Sequence, residues 1–311
     1  MANIPGPVVY YETLVIPGRS IISTGSAYPQ NKETGVLECL AWCTTHGLRP
    51  TDCAIPALFQ KGLCYECGPR KKIALEKLCN KRCLDTSSDL SNCGACGNQC
   101  PSLTTCCQGA CVNNSGMEWA YYVNPDQQAN EPSTSYSSFD PTLLKTLTPT
   151  YTSTTTYMTL SGNGDVPINI YGSPKTFTPD YFALNHRGYI HALQGGQYTF
   201  TAQQSDEIVL YWIGSKAYSG WTRANADLED AYYSPTSGQL ISFTKELQEG
   251  QYYALRIVFA NAQTGFNEAI SVTAPDGTVI LGPSSVPNPY IVQYSCNGAE
   301  APPYPPFGQE T

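Results

Sequence analysis

Thirteen of the chain's 14 cysteines fall between Cys39 and Cys111, and the last, Cys296, stands alone near the other end. A stretch this dense in cysteine exceeds the roughly 8–10% that marks a disulfide scaffold. It places the chain in an oxidising compartment. Such a stretch has too little apolar surface for a self-sufficient core, so cross-links must hold it. The total is even, so every thiol can pair, but one of the thirteen must pair outside its cluster. Cys296 is the candidate within the chain. Cys111, nearest the entrance to the cysteine-poor remainder of the chain, is its expected partner, with any other cluster cysteine as the alternative. The C-x2-C spacings at Cys64–Cys67 and Cys93–Cys96 would also suit a tetrahedral thiolate zinc site. The number of cysteines and the loop-rich composition favour disulfides instead.

The remaining composition narrows the function class. A length of 311 residues accommodates two ordinary domains. A net charge of −8 argues against binding a phosphate backbone, so no nucleic-acid partner is expected. Charged residues make up only 14% of the chain while Tyr numbers 22, a balance that suits an extracellular β protein. No run of about 18 apolar residues occurs, so no membrane insertion is expected. The opening "MANIPGPVVYYETLVIPGRS" has no basic stretch ahead of an apolar core. If the chain is secreted, its leader lies outside this sequence or the start is mis-assigned.

The pattern divides the chain into four regions. Residues 1–38 read as an extended segment, with strand-like character around "VVYYETLVI". Residues 39–111 are the disulfide module, within which "RKKIALEKLCNKRC" (Arg70–Cys83) is the best helix candidate, its basic residues forming a solvated face. From 112 to 298 the period changes to two. "GGQYTFTA" (Gly195–Ala202) alternates, and "IVLYWIG" (Ile208–Gly214) is continuous, as expected of a strand covered on both faces. "YYALRIVFANA" and "EAISVTAPDGT" add strands, and the Thr-rich stretch Thr146–Leu160 reads as further β structure. Short strands punctuated by Gly and Pro predict an antiparallel β-sandwich. Residues 299–311, "AEAPPYPPFGQET", read as an extended Pro-rich tail or linker.

Two resemblances sharpen this reading. "NCGACGNQC…CCQGACV" resembles cysteine-rich modules of secreted fungal proteins and the stigma-specific type of plants, a scaffold with no chemistry attached. "GMEWA" (Gly116–Ala120), "DYFALNHRGYIHALQGGQYTFTAQQSDEIVLYWIG" (Asp180–Gly214) and "YYALRIVFANAQTGFNEAISVTAPDG" (Tyr252–Gly277) occur in the order seen in the fungal GLEYA adhesin domain. That family is similar to the flocculin lectins and to protective-antigen-type sandwiches. The resemblance spans about Gly116 to Cys296. It implies a lectin that binds terminal sugars through Ca2+, with two consecutive acids joined by a cis peptide as ligands. The matching positions are Asp206 and Glu207. A second loop, "NAQTGF", would supply Asn261 by its side chain and Gln263 and Gly265 by backbone carbonyls.

Such a set suits calcium, which takes about six to eight oxygen ligands. Neighbouring side chains on an extended trans chain point to opposite faces, so two adjacent acids need an unusual backbone to share one ion. Glu207 departs from the family pattern by one methylene, which leaves two alternatives: it reaches the ion or swings away to solvent.

Trp221 could stack on a sugar ring, or belong to the core. Trp119 reads as packing, and Asp227, Glu229 and Asp230 as solvated. Asn113, in "NNS", is the single N-glycosylation acceptor. No G-x-S-x-G, H-E-x-x-H or P-loop occurs, and His46, His186 and His191 suggest packing or surface roles. The expectation is therefore a secreted or wall-bound, monomeric, glycan-binding adhesin and no enzyme. The rival is a structural wall module without a working calcium site.

Overall fold

The computed structural model describes residues 30–101, 104–124, 139–163, 166–203, 208–231, 239–262 and 265–311. Two compact units divide at Lys72 and Ile73, so the cysteine-rich stretch expected as one module over 39–111 is shared between them. Among the described residues no helix is long and apolar enough to cross a membrane.

The first unit is helical. Helix α1 spans Gln30–Thr45, α2 Ala54–Leu58 and α3 Leu63–Glu66. The extended reading of residues up to 38 is thus corrected over 30–38; residues before 30 lie outside the described ones. Cys39 and Cys43 sit one turn apart on the same face of α1. They are tied to Cys64 and Cys53 respectively. Helix α1 stops at Gly47, whose φ is 59°. Leu48 N–H reaches back to Cys43 O at 3.0 Å and Gly47 N–H to Thr44 O at 3.1 Å, which satisfies the last carbonyls of the helix.

The second unit opens with two hairpins. Strands β1 (Glu76–Cys79) and β2 (Arg82–Asp85) pair antiparallel, as do β3 (Thr105–Cys107) and β4 (Ala110–Val112). The helix expected over Arg70–Cys83 is therefore a hairpin. The two-residue loop Asn80–Lys81 has both φ angles positive, at 50° and 64°. That is the turn whose twist matches paired strands, and Asn favours it. The fixed positions of the cysteines did the rest: Cys79 is bonded to Cys96, and Cys83 is also in a disulfide.

The expected Cys111–Cys296 bridge is not formed. Cys111 bonds Cys100, and Cys107 bonds Cys296. Register explains the choice. Cys106 and Cys111 are cross-strand partners, so their side chains share one face of the hairpin, and both turn to the module's own Cys93 and Cys100. Cys107 is the next residue along the strand and points to the other face, where it meets Cys296. No free cysteine remains, and the zinc reading is set aside.

The rest of this unit is a sandwich of two antiparallel sheets. The larger has the order β11 (Leu228–Ala231), β10 (Ile208–Ile213), β13 (Tyr252–Asn261), β8 (Phe182–His191), β5 (Met117–Val123), β6 (Tyr151–Thr155). A short β16 (Ile291–Val292) joins β8 beyond the end of β5. The smaller has β12 (Leu240–Leu247), β9 (Gly196–Gln203), β14 (Phe266–Thr273) and β15 (Val279–Leu281), with β7 (Thr159–Gly162) beside β14.

Between the sheets pack Tyr198, Phe200, Val209, Tyr211, Leu255, Ile257, Ile270 and Val272. Every residue of β10 is buried. Val209, Tyr211 and Ile213 face the inter-sheet core, while Ile208, Leu210 and Trp212 face a second layer outside the large sheet. Ala217, Trp221 and Leu144 belong to that layer. So do Ala301 and Tyr304, so the Pro-rich segment expected to be a linker is packed against the sheet.

Candidate carbohydrate-binding tip

The large sheet brings several chain ends to one tip. Asn261, the last residue of β13, pairs with Phe182, the first of β8, and Phe182 also pairs with Val123 at the end of β5. Ile208, the first residue of β10, pairs with Ala260. Asp206 and Glu207, which immediately precede Ile208 in sequence, lie outside the described residues, as does Gln263. Gly265, half-buried, is described. Of the ligand set expected from the sequence, Asn261 and Gly265 alone are therefore placed at the tip.

Asn261 is fully buried. Its Nδ2 donates to Pro179 O at 2.6 Å. Its Oδ1 accepts no hydrogen bond among the described residues. A buried amide oxygen left without a donor costs about 1–3 kcal/mol. Such an oxygen is a ready ligand for a hard cation, and its chemistry fits calcium.

The surrounding backbone is tightly held. Tyr181 N–H donates to Ala262 O at 2.6 Å, and Asn124 N–H to Tyr181 O at 2.7 Å. Tyr181 itself has φ 49°, a left-handed conformation rare for a bulky residue. Between Pro179 and Tyr181 lies Asp180, the first residue of a stretch that carries the resemblance but not one of the expected ligands. With burial first, its charge helps push the Tyr121 hydroxyl up to about 12. The only signal for it was a Pro-Asp pair directly ahead of a strand. Beneath the tip Phe182, Phe266, Tyr121 and Phe177 form a contiguous aromatic floor, with Tyr121 and Phe182 stacked at 5.6 Å. A floor of this kind holds the tip rigid.

Other expected site residues lie elsewhere. Trp221 is 0% exposed, its ring 5.6 Å from Trp212 and beneath the Arg256 guanidinium. It cannot present a face to a sugar, so the stacking role is withdrawn. Asp227 and Asp230 are not simply solvated: Asp227 pairs with Lys216 at 2.8 Å and accepts from Ile213 N–H, and Asp230 is buried. Glu229 is exposed but takes the Arg223 guanidinium on both oxygens. Trp119 is core, as expected. Asn113 is exposed, immediately after β4, and its Oδ1 accepts from Ser115 N–H at 3.2 Å.

Comparison with known proteins finds similar families and structures. Residues 182–274 match the GLEYA domain, and residues 58–118 match the stigma-specific STIG1-like protein family. Flocculation protein FLO1 of Saccharomyces cerevisiae is 30% identical over 112 residues, 33% of this chain and 7% of that protein. Flocculation protein FLO9 of the same yeast is 32% identical over 127 residues, 37% of this chain and 10% of that protein. The chain thus spans a tenth or less of the curated relatives it matches. Among solved structures, the Epithelial Adhesin 6 A domain from Candida glabrata, in complex with Galb1-3GlcNAc, is similar at 15% identity. The match has a TM-score of 0.48 and covers 61% of this chain and 91% of that one. The Epithelial Adhesin 9 A domain from the same yeast, in complex with the same disaccharide, has 16% identity and a TM-score of 0.42, covering 53% and 84%. Part of the sandwich, residues 182–274, is accordingly similar to the GLEYA domain, and residues 58–118 ahead of it are similar to the STIG1-like family.

Proposed function

We propose that this chain is an adhesin-type lectin that binds terminal sugars of cell-surface or wall glycans with the help of a calcium ion at the sandwich tip. The observation that carries the reading is the fully buried Asn261 Oδ1 with no donor among the described residues. It stands one residue from Ala260, the partner of Ile208, and Ile208 directly follows Asp206 and Glu207 in sequence. Asp206, Glu207 and Asn261, with backbone carbonyls at Gln263 and Gly265, would hold the ion. The ion would offer its remaining positions to vicinal sugar hydroxyls. The side chains of this chain would orient the ring and exclude water, and no bond would be broken.

The relation to flocculation proteins supports an exposed, extracellular setting, as does a chain whose cysteines are all oxidised. The test is a glycan array with and without EDTA, using the full chain and its Asp206→Ala and Asn261→Ala variants, with near-ultraviolet circular dichroism as the folding control. Calcium-dependent binding lost in both variants is the expected result. Glycan binding that survives EDTA and both substitutions refutes the metal. No terbium luminescence at the tip together with no glycan bound would favour the structural reading over the lectin.

A further inference from the structure

The outer face of the large sheet carries a charge pattern unrelated to the tip. Trp212, Arg256, Arg187 and Glu118 are directly opposite one another across β10, β13, β8 and β5, one row over four strands. Arg256 and Arg187 are 0% and 2% exposed. Two adjacent buried guanidiniums need an anion. Glu118 reaches Arg187 Nε at 2.8 Å from the side. The central anion is Glu310, whose Oε1 accepts from Arg187 Nη1 at 2.6 Å and whose Oε2 takes Arg256 Nη2 and the Trp221 indole N–H.

The residues ahead of Glu310 read as a recognised peptide. Four prolines, Pro302, Pro303, Pro305 and Pro306, remove backbone donors and favour an extended helix. Tyr189 Oη donates to Pro302 O at 2.7 Å and Tyr218 Oη to Pro303 O at 3.3 Å. The Tyr304 ring lies against Tyr189 and Tyr218, and the Phe307 ring lies 3.5 Å under the Arg187 guanidinium. Pro-rich ligands are held in aromatic-lined grooves of this kind. The segment belongs to no strand among the described ones. Beneath it the Tyr122 hydroxyl and the Asn185 side chain are buried beside one another.

We propose that this face is a second recognition site, for a Pro- and aromatic-rich peptide bearing a carboxylate. It is filled here in cis by residues 301–311, and the same segment of a second copy can fill it in trans. The tether is short: Cys296 is fixed to Cys107, and Asn297, Gly298, Ala299 and Glu300 lie between that bridge and the segment. A short tether gives the cis segment a high effective concentration, so exchange requires that the tether be cut or the chains crowded. The site is separate from the sugar-binding tip and stands whether or not that reading does.

The test is to insert a specific protease site between Ala299 and Glu300 in the full chain, cut the folded protein, and titrate a dye-labelled peptide of residues 301–311 by fluorescence anisotropy. The cut chain should exchange its own segment for the labelled one in a one-to-one ratio. The peptide carrying Glu310→Gln should bind at least about tenfold more weakly, as the loss of a buried charge pair requires. If release of the segment unfolds the sandwich, the labelled peptide should restore its circular dichroism. Three results would each overturn the proposal: a segment that never exchanges, a folded cut chain that takes up no peptide, and equal binding of the Gln peptide.

Discussion

Two buried groups inside the sandwich set its response to pH. His186, on the core side of β8, has Nδ1 3.2 Å from Ile257 O and Nε2 2.9 Å from Tyr171 Oη. A carbonyl only accepts, so Nδ1 carries the proton and Nε2 accepts from the tyrosine. Burial drives the ring's pKa down from 6.5 to about 3. Glu268, on the inward face of β14, is 0% exposed, with the Tyr171 hydroxyl as its polar neighbour. Burial pushes its carboxyl up from 4.5 to about 8. Between about 3 and 6.5 the unfolded chain binds a proton at His186 that the folded chain does not, so stability rises with pH. Between about 4.5 and 8 the folded chain holds a proton on Glu268 that the unfolded chain has lost, so stability falls with pH. The opposed slopes cancel between about 4.5 and 6.5. Urea unfolding across this range, at fixed calcium, should therefore show a plateau there and a loss on the order of a few kcal/mol by about pH 8.5. Glu268→Gln should remove the loss on the alkaline side and turn the plateau into a rise with pH up to about 6.5. A decline of unchanged size in that variant would show that another group causes it.

At the tip the same scale separates two roles of one side chain. Asn261→Ala deletes both the free oxygen and the donor to Pro179 O, whereas Asn261→Asp keeps an oxygen for a cation and loses only the donor. Calcium titration followed by calorimetry should find the Asp variant weakened and the Ala variant silent. Equal loss in both would assign Asn261 to holding the loop.

Among elements, what was legible in the sequence was what depends on side-chain period. Tyr198, Phe200 and Ala202 alternate into the core as their spacing requires, and the unbroken β10 run is covered on both sides. Legibility failed where a turn or a cross-link overrides composition. Arg70–Cys83 has the composition of a helix, yet two left-handed residues at Asn80 and Lys81 fold it back on itself. The partner of Cys296 depended on which face of a three-residue strand each cysteine occupies, a matter of register that spacing does not encode. The resemblance named Asn261 and Gly265 but not Asp180 as a ligand, since nothing in the neighbourhood of Asp180 distinguishes it from a turn. The Cys107–Cys296 link joins residues separated by 189 positions. By loop-closure entropy a link over that span is worth about 5 kcal/mol. Replacing both cysteines with Ser should lower the urea midpoint accordingly. The β3–β4 hairpin keeps its own bridges through Cys93–Cys106 and Cys100–Cys111, so its hydrogen-exchange protection should fall less than that of residues 293–301.

For the whole molecule, the consequential fact is that the large sheet has no solvent face at its centre. Composition pointed to a two-layer sandwich, but β13 and β8 carry Arg256 and Arg187 outward into a third layer made of loops and residues 301–311. A sheet buried on both faces can hold arginines only if the covering layer brings the counter-charge, and here Glu310 lies 123 residues from Arg187 in sequence and 54 from Arg256. Glu310→Gln leaves both guanidiniums without their central anion, and breaking a buried ion pair from one side costs about 3–5 kcal/mol. Removing the charges together, as in Arg187→Met with Arg256→Met and Glu310→Gln, should cost less than Glu310→Gln alone, because no uncompensated charge is left inside. Thermal unfolding of the two proteins in the same buffer decides the matter. If the triple variant is the less stable, Glu310 acts through shape rather than charge, and the outer layer is held by its aromatic contacts.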